Sequence, residues 1–277
     1  MNTGTPSTGL PPGAARPGAK AAGSTGAAGR RSVRWYPAAA LIVVLVAVWE
    51  AVIRVADVPS YLWPAPSAIV EAGVEERRLI GAAAWVTTQE VVLGVLLAVA
   101  VALVTAVLLH HFGLLRRTLY PLLIASQTVP VVVLAPILAI AFGYGIAPKL
   151  AITALICFFP LVVGTLDGLR SVDPELLRLM RTLDAGRWAI FRQVEFPSAL
   201  PQLFSGARVA VTYAPIGAVF GEWSGSTDGL GFVMLQATPQ LRTGLVFAAI
   251  VVLTVESVAL FVLVRLLERV VVPWNRR

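Results

Sequence analysis

The sequence predicts an all-α, polytopic membrane protein with about six transmembrane helices. Of its 277 residues, 57% are hydrophobic and only 13% are charged, whereas soluble domains average about 45–50% apolar and about 25% charged residues. Several long stretches are almost free of charge, and a helix needs about 20 such residues to cross the hydrocarbon core of a bilayer. This composition argues against one or two soluble domains of the same length.

Six stretches are apolar enough to be the spans. They lie at about residues 37–56, 90–109, 120–142, 150–169, 205–220 and 243–264. The third contains Pro130 and Pro136, which a membrane helix tolerates when neighbouring helices or a cavity satisfy the freed backbone groups.

Residues 1–34 are rich in Gly, Ala, Pro, Ser and Thr. They predict a disordered cytoplasmic tail, because such a stretch buries too little apolar surface to fold, and they leave residues 35–277 as the transmembrane domain.

The basic residues predict how the chain is oriented. If the N-terminus is cytoplasmic, Arg54, Arg77, Arg78, Lys149 and Arg242 lie on or near the outer side, and the other 17 of the 22 Lys and Arg residues lie on the inner side. Since Lys and Arg concentrate in cytoplasmic segments, both termini are predicted to be cytoplasmic. The net charge of +7 does not indicate nucleic-acid binding, because the basic residues form no single patch.

Two outer segments are predicted to be more than connecting loops. Residues 65–84 predict an amphipathic surface helix, with Ile69, Val70 and Val74 on its apolar face. Residues 222–241 mix Gly, Ser and Asp with Leu, Phe and Met. We expect that segment at or partly within the membrane, where it faces protein rather than lipid.

One predicted cytoplasmic segment, about residues 171–204, is unusually charged and is called the charged loop below. Asp173 and Pro174 are typical of a helix start, and a break is predicted near Ala185 and Gly186. A second short helix is predicted to follow and to end at Pro197. From the residues alone the loop is either a helical hairpin on the membrane surface or a docking element that offers Trp and Arg, which are enriched at interface hot spots.

The charged loop resembles the EAA motif of permease subunits in binding-protein-dependent ABC importers. That motif reads E-A-A, three residues, G, nine residues, I, one residue, L-P. Counted back from Pro197, its positions fall on Phe196 for Leu, Val194 for Ile, Asp184 for Gly, and Arg178, Leu179 and Met180 for E-A-A. The spacing holds and the C-terminal half matches, whereas Asp184 in place of Gly is the largest departure.

The resemblance extends over about residues 45–270. The runs VPVVVLAPILAIAFGYG and GEWSGSTDGLGFVML are similar to the sulfonate, taurine and nitrate branch of these permeases. Within that branch, FFPLVVGTLDGLRSVDPELLRLMRTLDA and YAPIGAVFGEW most resemble permeases for thiamine-pyrimidine precursors or riboflavin.

The resemblance implies a type I importer fold in a multi-pass protein of the bacterial cytoplasmic membrane. It implies a second copy of the chain, an ABC ATPase subunit, a soluble substrate-binding protein and no nucleic-acid partner. The expected ATPase-coupling residues are Asp184, Ala185, Gly186, Arg187, Trp188, Phe191, Val194 and Pro197. The chain has no G-x-x-x-x-G-K-[ST] motif. It is therefore expected to be no enzyme and to bind no cofactor or metal itself, with ATP and Mg on the partner subunit.

Five polar residues are candidates for the lining of a transport pathway. They are Gln127, Thr128, Tyr213, Glu222 and Glu256. Polar side chains in spans face protein or a cavity rather than lipid, so ordinary helix packing remains the alternative for each. Glu256, in the middle of the last span, either faces the pathway or pairs across a helix interface, and the alternative is a protonated or hydrogen-bonded carboxyl with Thr254 or Ser257 nearby.

The sequence thus predicts the permease subunit of an ATP-driven importer for a small polar nutrient. A thiamine-pyrimidine precursor or a riboflavin-like compound is one expected substrate class, and a sulfonate, taurine or nitrate is the alternative. A self-contained secondary transporter is the alternative of another class, although such folds commonly show inverted repeats and no convincing repeat is found here. An intramembrane enzyme would need a convergent catalytic set, which the sequence does not offer.

Overall fold

Helices form the regular structure of residues 36–275, which are the residues that the computed structural model describes. No strand occurs among them, in agreement with the predicted all-α class. The predicted disordered tail, residues 1–34, lies outside the described residues. The helices are α1 (Tyr36–Val55), α2 (Pro66–Glu75), α3 (Arg77–His111), α4 (Gly113–Ser126), α5 (Val131–Phe142), α6 (Ile146–Arg170), α7 (Pro174–Thr182), α8 (Arg187–Ile190), α9 (Phe196–Trp223), α10 (Leu230–Ala237) and α11 (Thr243–Val271).

Four of these helical segments are long and apolar enough to cross a membrane. They are α3, α6, the continuous helix of residues 187–223 that ends in α9, and α11. They contain the second, fourth, fifth and sixth predicted spans, and each is longer than predicted. The first predicted span corresponds to α1, a helix of 20 residues, and its role as a span stays a prediction.

The third predicted span is not one straight helix. It is a pair, α4 and α5, bent by 101° at a break of four residues, 127–130. Pro130 explains the position of the break, because proline has no N–H to continue the helix and disfavours helical geometry at the preceding residue. The predicted span over 120–142 is therefore not a single helix, and the bent pair counts at most as a fifth, broken span.

A tightly packed bundle of α3, α6 and α9 forms the main core. On α3, Ala98, Ala102 and Ala106 recur every four residues and are fully buried, so the middle of the buried face of this helix carries small side chains. Gly168 and Gly206 let α6 and α9 approach, since a Cβ on either would collide with backbone atoms of the other helix. Small residues at such contacts are typical of helix packing in membranes, where close backbone approach supplies much of the attraction.

A second core lies where α2, α10 and α11 meet the beginning of α3. Ile69, Ile80, Leu230 and Leu245 are buried in it. The predicted amphipathic helix over 65–84 is therefore only partly correct, because α2 ends at Glu75 and the following residues begin α3. The 222–241 segment contains α10, whose buried side chains pack against protein as predicted.

The charged loop contains the predicted helix start and the predicted break. Asp173 accepts a hydrogen bond of 2.8 Å from the backbone N–H of Glu175 and caps α7. The second helix does not end at Pro197, however. A π-helical turn at 191–195 joins α8 to α9. Its hydrogen bonds span five residues instead of four, so the chain stays helical although Pro197 has no backbone N–H to donate. The second half of the charged loop, residues 187–204, is therefore continuous with the rest of α9.

Candidate functional site

The tip of the charged loop presents a large aromatic side chain to its surroundings. Trp188 is 70% exposed and Leu183 is 68% exposed, although both are apolar. Behind the tip, the ring of Trp188 stacks on Phe191 at 5.7 Å between centroids, and Phe191 contacts Phe196 and His111 in turn. Since aromatic pairs add to the stability of the groups that form them, this row fixes the tip to the end of α3.

The base of the charged loop is anchored in the protein. Ile190 and Val194 are buried, and the Glu195 carboxylate lies 3.2 Å from Nε2 of His110 at the end of α3. Of the predicted coupling residues, Arg187 and Trp188 are exposed, Phe191 and Pro197 are half-buried, and Val194 is buried. The set therefore divides into an exposed tip and a supporting base.

The turn between α7 and α8 explains the departure from the EAA pattern. Asp184 occupies the glycine position of that motif and has φ of +56°, in the left-handed region that glycine adopts without strain. Asp is one of the few other residues that tolerate this region. The departure at Asp184 therefore preserves the turn rather than removing it.

Asp184→Gly is expected to keep or slightly raise the stability of the protein, whereas Asp184→Val is expected to lower it by about 1–2 kcal/mol, because a β-branched residue is strained at positive φ. The thermal unfolding midpoint of the purified, detergent-solubilised chain measures both effects. Equal midpoints for the glycine and valine variants would contradict the assigned turn.

A mainly apolar cavity of about 540 Å³ with several polar side chains in its lining lies between the bent pair, α6 and α9, and is called the polar cavity below. It is lined by Gln127, Val131, Ile156, Phe159, Pro160, Val163, Gly164, Gln202, Ser205, Gly206, Val209 and Tyr213. It brings together Gln127 and Tyr213, two of the five pathway candidates. Gln127 lies in the break between α4 and α5, so the kink places a polar side chain at the cavity.

Two further polar residues of the cavity, Gln202 and Ser205, are missing from the sequence prediction. With Val209 and Tyr213 they recur at helical spacing along α9, which is the signal that identifies a shared helix face. Thr128, although adjacent to Gln127, donates its hydroxyl hydrogen to the Ala125 carbonyl at 2.8 Å and is not among the lining residues.

Glu222 is fully buried and contacts protein groups instead of the polar cavity. Its carboxylate accepts hydrogen bonds from Thr87 Oγ1 at 2.6 Å and from the backbone N–H groups of Gly231 and Phe232. Because those N–H groups belong to the first turn of α10, the carboxylate joins α9 to the start of that helix. In this conformation Glu222 therefore acts as a structural residue.

A buried ion pair beside Glu222 is absent from the sequence prediction. Lys149 Nζ lies 2.5 Å from Glu90 Oε1 and 2.6 Å from Ser226 Oγ. Lys149 and Glu90 are both buried, and Glu90 lies beside Glu222. These four residues and Thr87 are called the buried network below, and they connect α3, α6 and α9 to the 224–229 segment.

Glu256 is separate from the polar cavity. Both of its carboxylate oxygens are buried without a hydrogen-bond partner among residues 36–275, and Thr88 of α3 lies near it. The two expected partners are occupied elsewhere, since Thr254 donates to the Ile250 carbonyl and Ser257 to the Thr212 carbonyl. The structure thus shows no hydrogen bond from Glu256 to either expected partner, and a role for Glu256 in the pathway stays a prediction.

Comparison with known proteins decides the family. Residues 91–274 match the family described as the inner membrane component of binding-protein-dependent transport systems. The chain belongs to this family. It is therefore a permease of an ABC importer and a multi-pass protein of the plasma membrane.

Several relatives are similar over most of the permease. A probable ABC transporter permease protein of Haemophilus influenzae is 37% identical over 80% of this chain and 90% of its own length. The formylaminopyrimidine transport permease ThiX of Halalkalibacterium halodurans is 34% identical over 90% of this chain and 99% of its own. The riboflavin permease RibX of Chloroflexus aurantiacus is 39% identical over 60% and 62%. Permeases named for aliphatic sulfonates and taurine match as well.

Proposed function

We propose that two copies of this permease enclose one pathway for a small, uncharged, polar compound with an aromatic ring. A separate ATPase that binds the charged loop would supply the energy. The polar cavity carries the proposal, because amide, hydroxyl and aromatic side chains converge in it between α6, α9 and the bent pair. Convergent polar groups in a mainly apolar cleft are typical of ligand sites.

The chemistry of the polar cavity favours an uncharged substrate. Gln127 and Gln202 offer amide donors and acceptors, Ser205 and Tyr213 offer hydroxyls, and Phe159 offers a ring face. No Lys, Arg or His belongs to its lining, and an anion moved away from water without a cationic partner carries a large desolvation cost. The relatives named for formylaminopyrimidine and riboflavin support this class over a sulfonate, taurine or nitrate.

The exposed side of the polar cavity supports a second copy of the chain. Val209 and Tyr213 line the cavity and are 45% and 51% exposed, and Ile216 continues the same helix at 46%. The cavity is thus open along an apolar face of α9. A second copy placed there would enclose the cavity between two identical half-sites, as a two-fold, self-complementary interface requires.

The tip and the base of the charged loop suit different steps of coupling to the ATPase. The exposed Trp188 suits insertion into a groove of the ATPase, while the buried base transmits force directly to α9, on which Gln202, Ser205 and Tyr213 lie. ATP and Mg are assigned to that partner, and a soluble binding protein delivers the substrate from the opposite side of the membrane. The family description names a binding-protein-dependent system.

Gln202→Leu is expected to lower kcat/KM for import of a formylaminopyrimidine about tenfold, because it removes the hydrogen bonds that the Gln202 amide would offer to a substrate in the polar cavity. The measurement is uptake into proteoliposomes that contain the permease, its ATPase and its binding protein. Thr105→Val is the control, since the Thr105 hydroxyl is bonded within α3 to the Val101 carbonyl. The proposed substrate class fails if taurine is imported faster than the pyrimidine, and the proposed pathway fails if both variants transport equally well.

A further inference from the structure

A second cavity lies at the end of the bundle that carries the charged loop, and it has a different chemistry. It measures about 480 Å³ and is called the basic cavity below. Its lining consists of His110, His111, Arg181, Ala185, Arg187, Ile190 and Glu195. These residues come from the end of α3, from both sides of the α7–α8 turn, and from the π-helical turn. The cavity therefore lies between the loop and the span that supports it.

The cations of the basic cavity outnumber its anions. Glu195 is already engaged by His110 Nε2 at 3.2 Å. Arg181 and Arg187 form no ion pair with any residue of the described range 36–275. The second ring nitrogen of His110, Nδ1, is buried and has no hydrogen-bond partner in that range. The cavity thus combines two unpaired guanidinium groups with an unsatisfied imidazole nitrogen.

The location of the cavity indicates where an anion would come from. The core-facing residues of α3 end at Leu109, and His110 and His111 follow directly. The end of a span is the level of the lipid headgroups, and basic pockets beside spans on the cytoplasmic side attract anionic headgroups. The sequence predicts that this side of the protein is cytoplasmic.

We infer that the basic cavity binds a phosphate group, and that the headgroup of an anionic phospholipid supplies it. Two guanidinium forks on adjacent elements match the oxygens of a phosphate, which arginine binds in a bidentate way. Ala185, which also lines the cavity, adds only a small side chain to it. A bound phosphate would link α7 and α8 to α3 and hold the charged loop at a fixed angle. The binding itself does not depend on the proposed substrate or on the proposed dimer.

The test compares two charge-neutralised variants of the full-length permease. Arg181→Gln with Arg187→Gln removes both cations of the basic cavity. Arg178→Gln with Arg192→Gln removes the same charge from exposed positions of the same loop that do not line the cavity. Each protein is placed in nanodiscs of phosphatidylcholine with phosphatidylglycerol, and the lipids retained after transfer to detergent are counted by native mass spectrometry.

The wild type and the control variant are expected to retain phosphatidylglycerol, and the cavity variant is expected to retain about tenfold less, since each arginine near a membrane surface contributes measurably to anionic-lipid binding. Equal retention by all three proteins would overturn the inference. If the cavity variant does not fold, Arg181→Lys with Arg187→Lys replaces it. This pair keeps the charge but loses the bidentate fork, so an intermediate retention is expected and unchanged retention contradicts the arginine geometry.

A second arm of the experiment distinguishes the lipid from free phosphate. The thermal unfolding midpoint is measured in pure phosphatidylcholine nanodiscs while inorganic phosphate is added at constant ionic strength. We expect no rise that depends on Arg181 and Arg187. A rise that these two arginines control would locate a phosphate site in the cavity but would overturn its assignment to a lipid headgroup.

Discussion

Trp188→Ala is expected to weaken binding of the permease to its ATPase about 30-fold or more. Trp188 is 70% exposed at the tip of the charged loop, and buried tryptophans at interface centres are among the residues whose truncation costs most. The folded permease should change little, because the indole is mostly exposed and its ring contact is with Phe191. The measurement is co-purification of the tagged ATPase with the permease from detergent-solubilised membranes, followed by an affinity titration with the purified subunits.

The chain offers a matched control for this substitution. Trp85→Ala removes an equally exposed indole, at 65%, from the part of α3 remote from the charged loop. It is expected to leave ATPase binding unchanged. Co-purification of the Trp188→Ala permease at the wild-type yield would show that the tip is not the docking element. Scrambling residues 186–197 would be a poorer test, because Ile190 and Val194 in that segment are buried.

Local signals in the sequence predicted local structure well. Asp173 caps α7 as expected, and Glu50 and Arg54, which lie four residues apart on α1, form an ion pair at 2.6 Å. Both features depend only on residues within four positions of each other, so propensity and helical spacing are sufficient to find them. The π-helical turn before Pro197 was not predictable in the same way, because it depends on the buried contacts of Ile190 and Val194 with the rest of the protein.

Prolines show why the spans were predicted less accurately than the capped helix. Pro136 and Pro160 lie inside continuous helices, whereas the chain bends at Pro130. The residue type is the same at each position, and the packing of neighbouring helices decides whether the freed carbonyl is tolerated. A single sequence gives no access to that packing.

Two of the four polar residues named in the polar cavity were predicted from the sequence, and the other two were missed for a related reason. Gln127 and Tyr213 were identified because they are polar residues within apolar runs. Gln202 precedes the predicted fifth span and Ser205 begins it, and neither was among the predicted pathway residues. Only the contact of α9 with α6 and the bent pair shows that all four share one cavity.

Lys149→Met is expected to destabilise the protein by about 3–5 kcal/mol, because it removes the cation from a buried ion pair and leaves its partner without a counter-charge. Lys149 is the basic member of the buried network, at 2.5 Å from Glu90 and 2.6 Å from Ser226. Glu222 lies beside Glu90, so the loss would leave two acidic side chains adjacent in the core. Thermal unfolding of the purified permease in detergent and its elution as a single monodisperse peak are the measurements.

An exposed ion pair elsewhere in the chain provides the comparison. Arg242 and Glu76 pair at 2.5 Å with side chains 47% and 33% exposed. Arg242→Met is expected to cost less than about 1 kcal/mol, because water solvates the remaining carboxylate. A Lys149→Met variant as stable as Arg242→Met would contradict the structural role of the buried network.

The double variant Glu90→Leu with Lys149→Met separates a missing partner from a missing side chain. Replacing both members of a buried ion pair by apolar residues is often neutral, whereas removing one member is not. We therefore expect the double variant to recover most of the stability lost in Lys149→Met, with a coupling of about 2–3 kcal/mol in the double-mutant cycle. Additive losses would mean that the lysine stem, rather than its charge, stabilises the contact between α6 and α3. Recovery would show that charge compensation between α3, α6 and α9 is what this part of the permease requires.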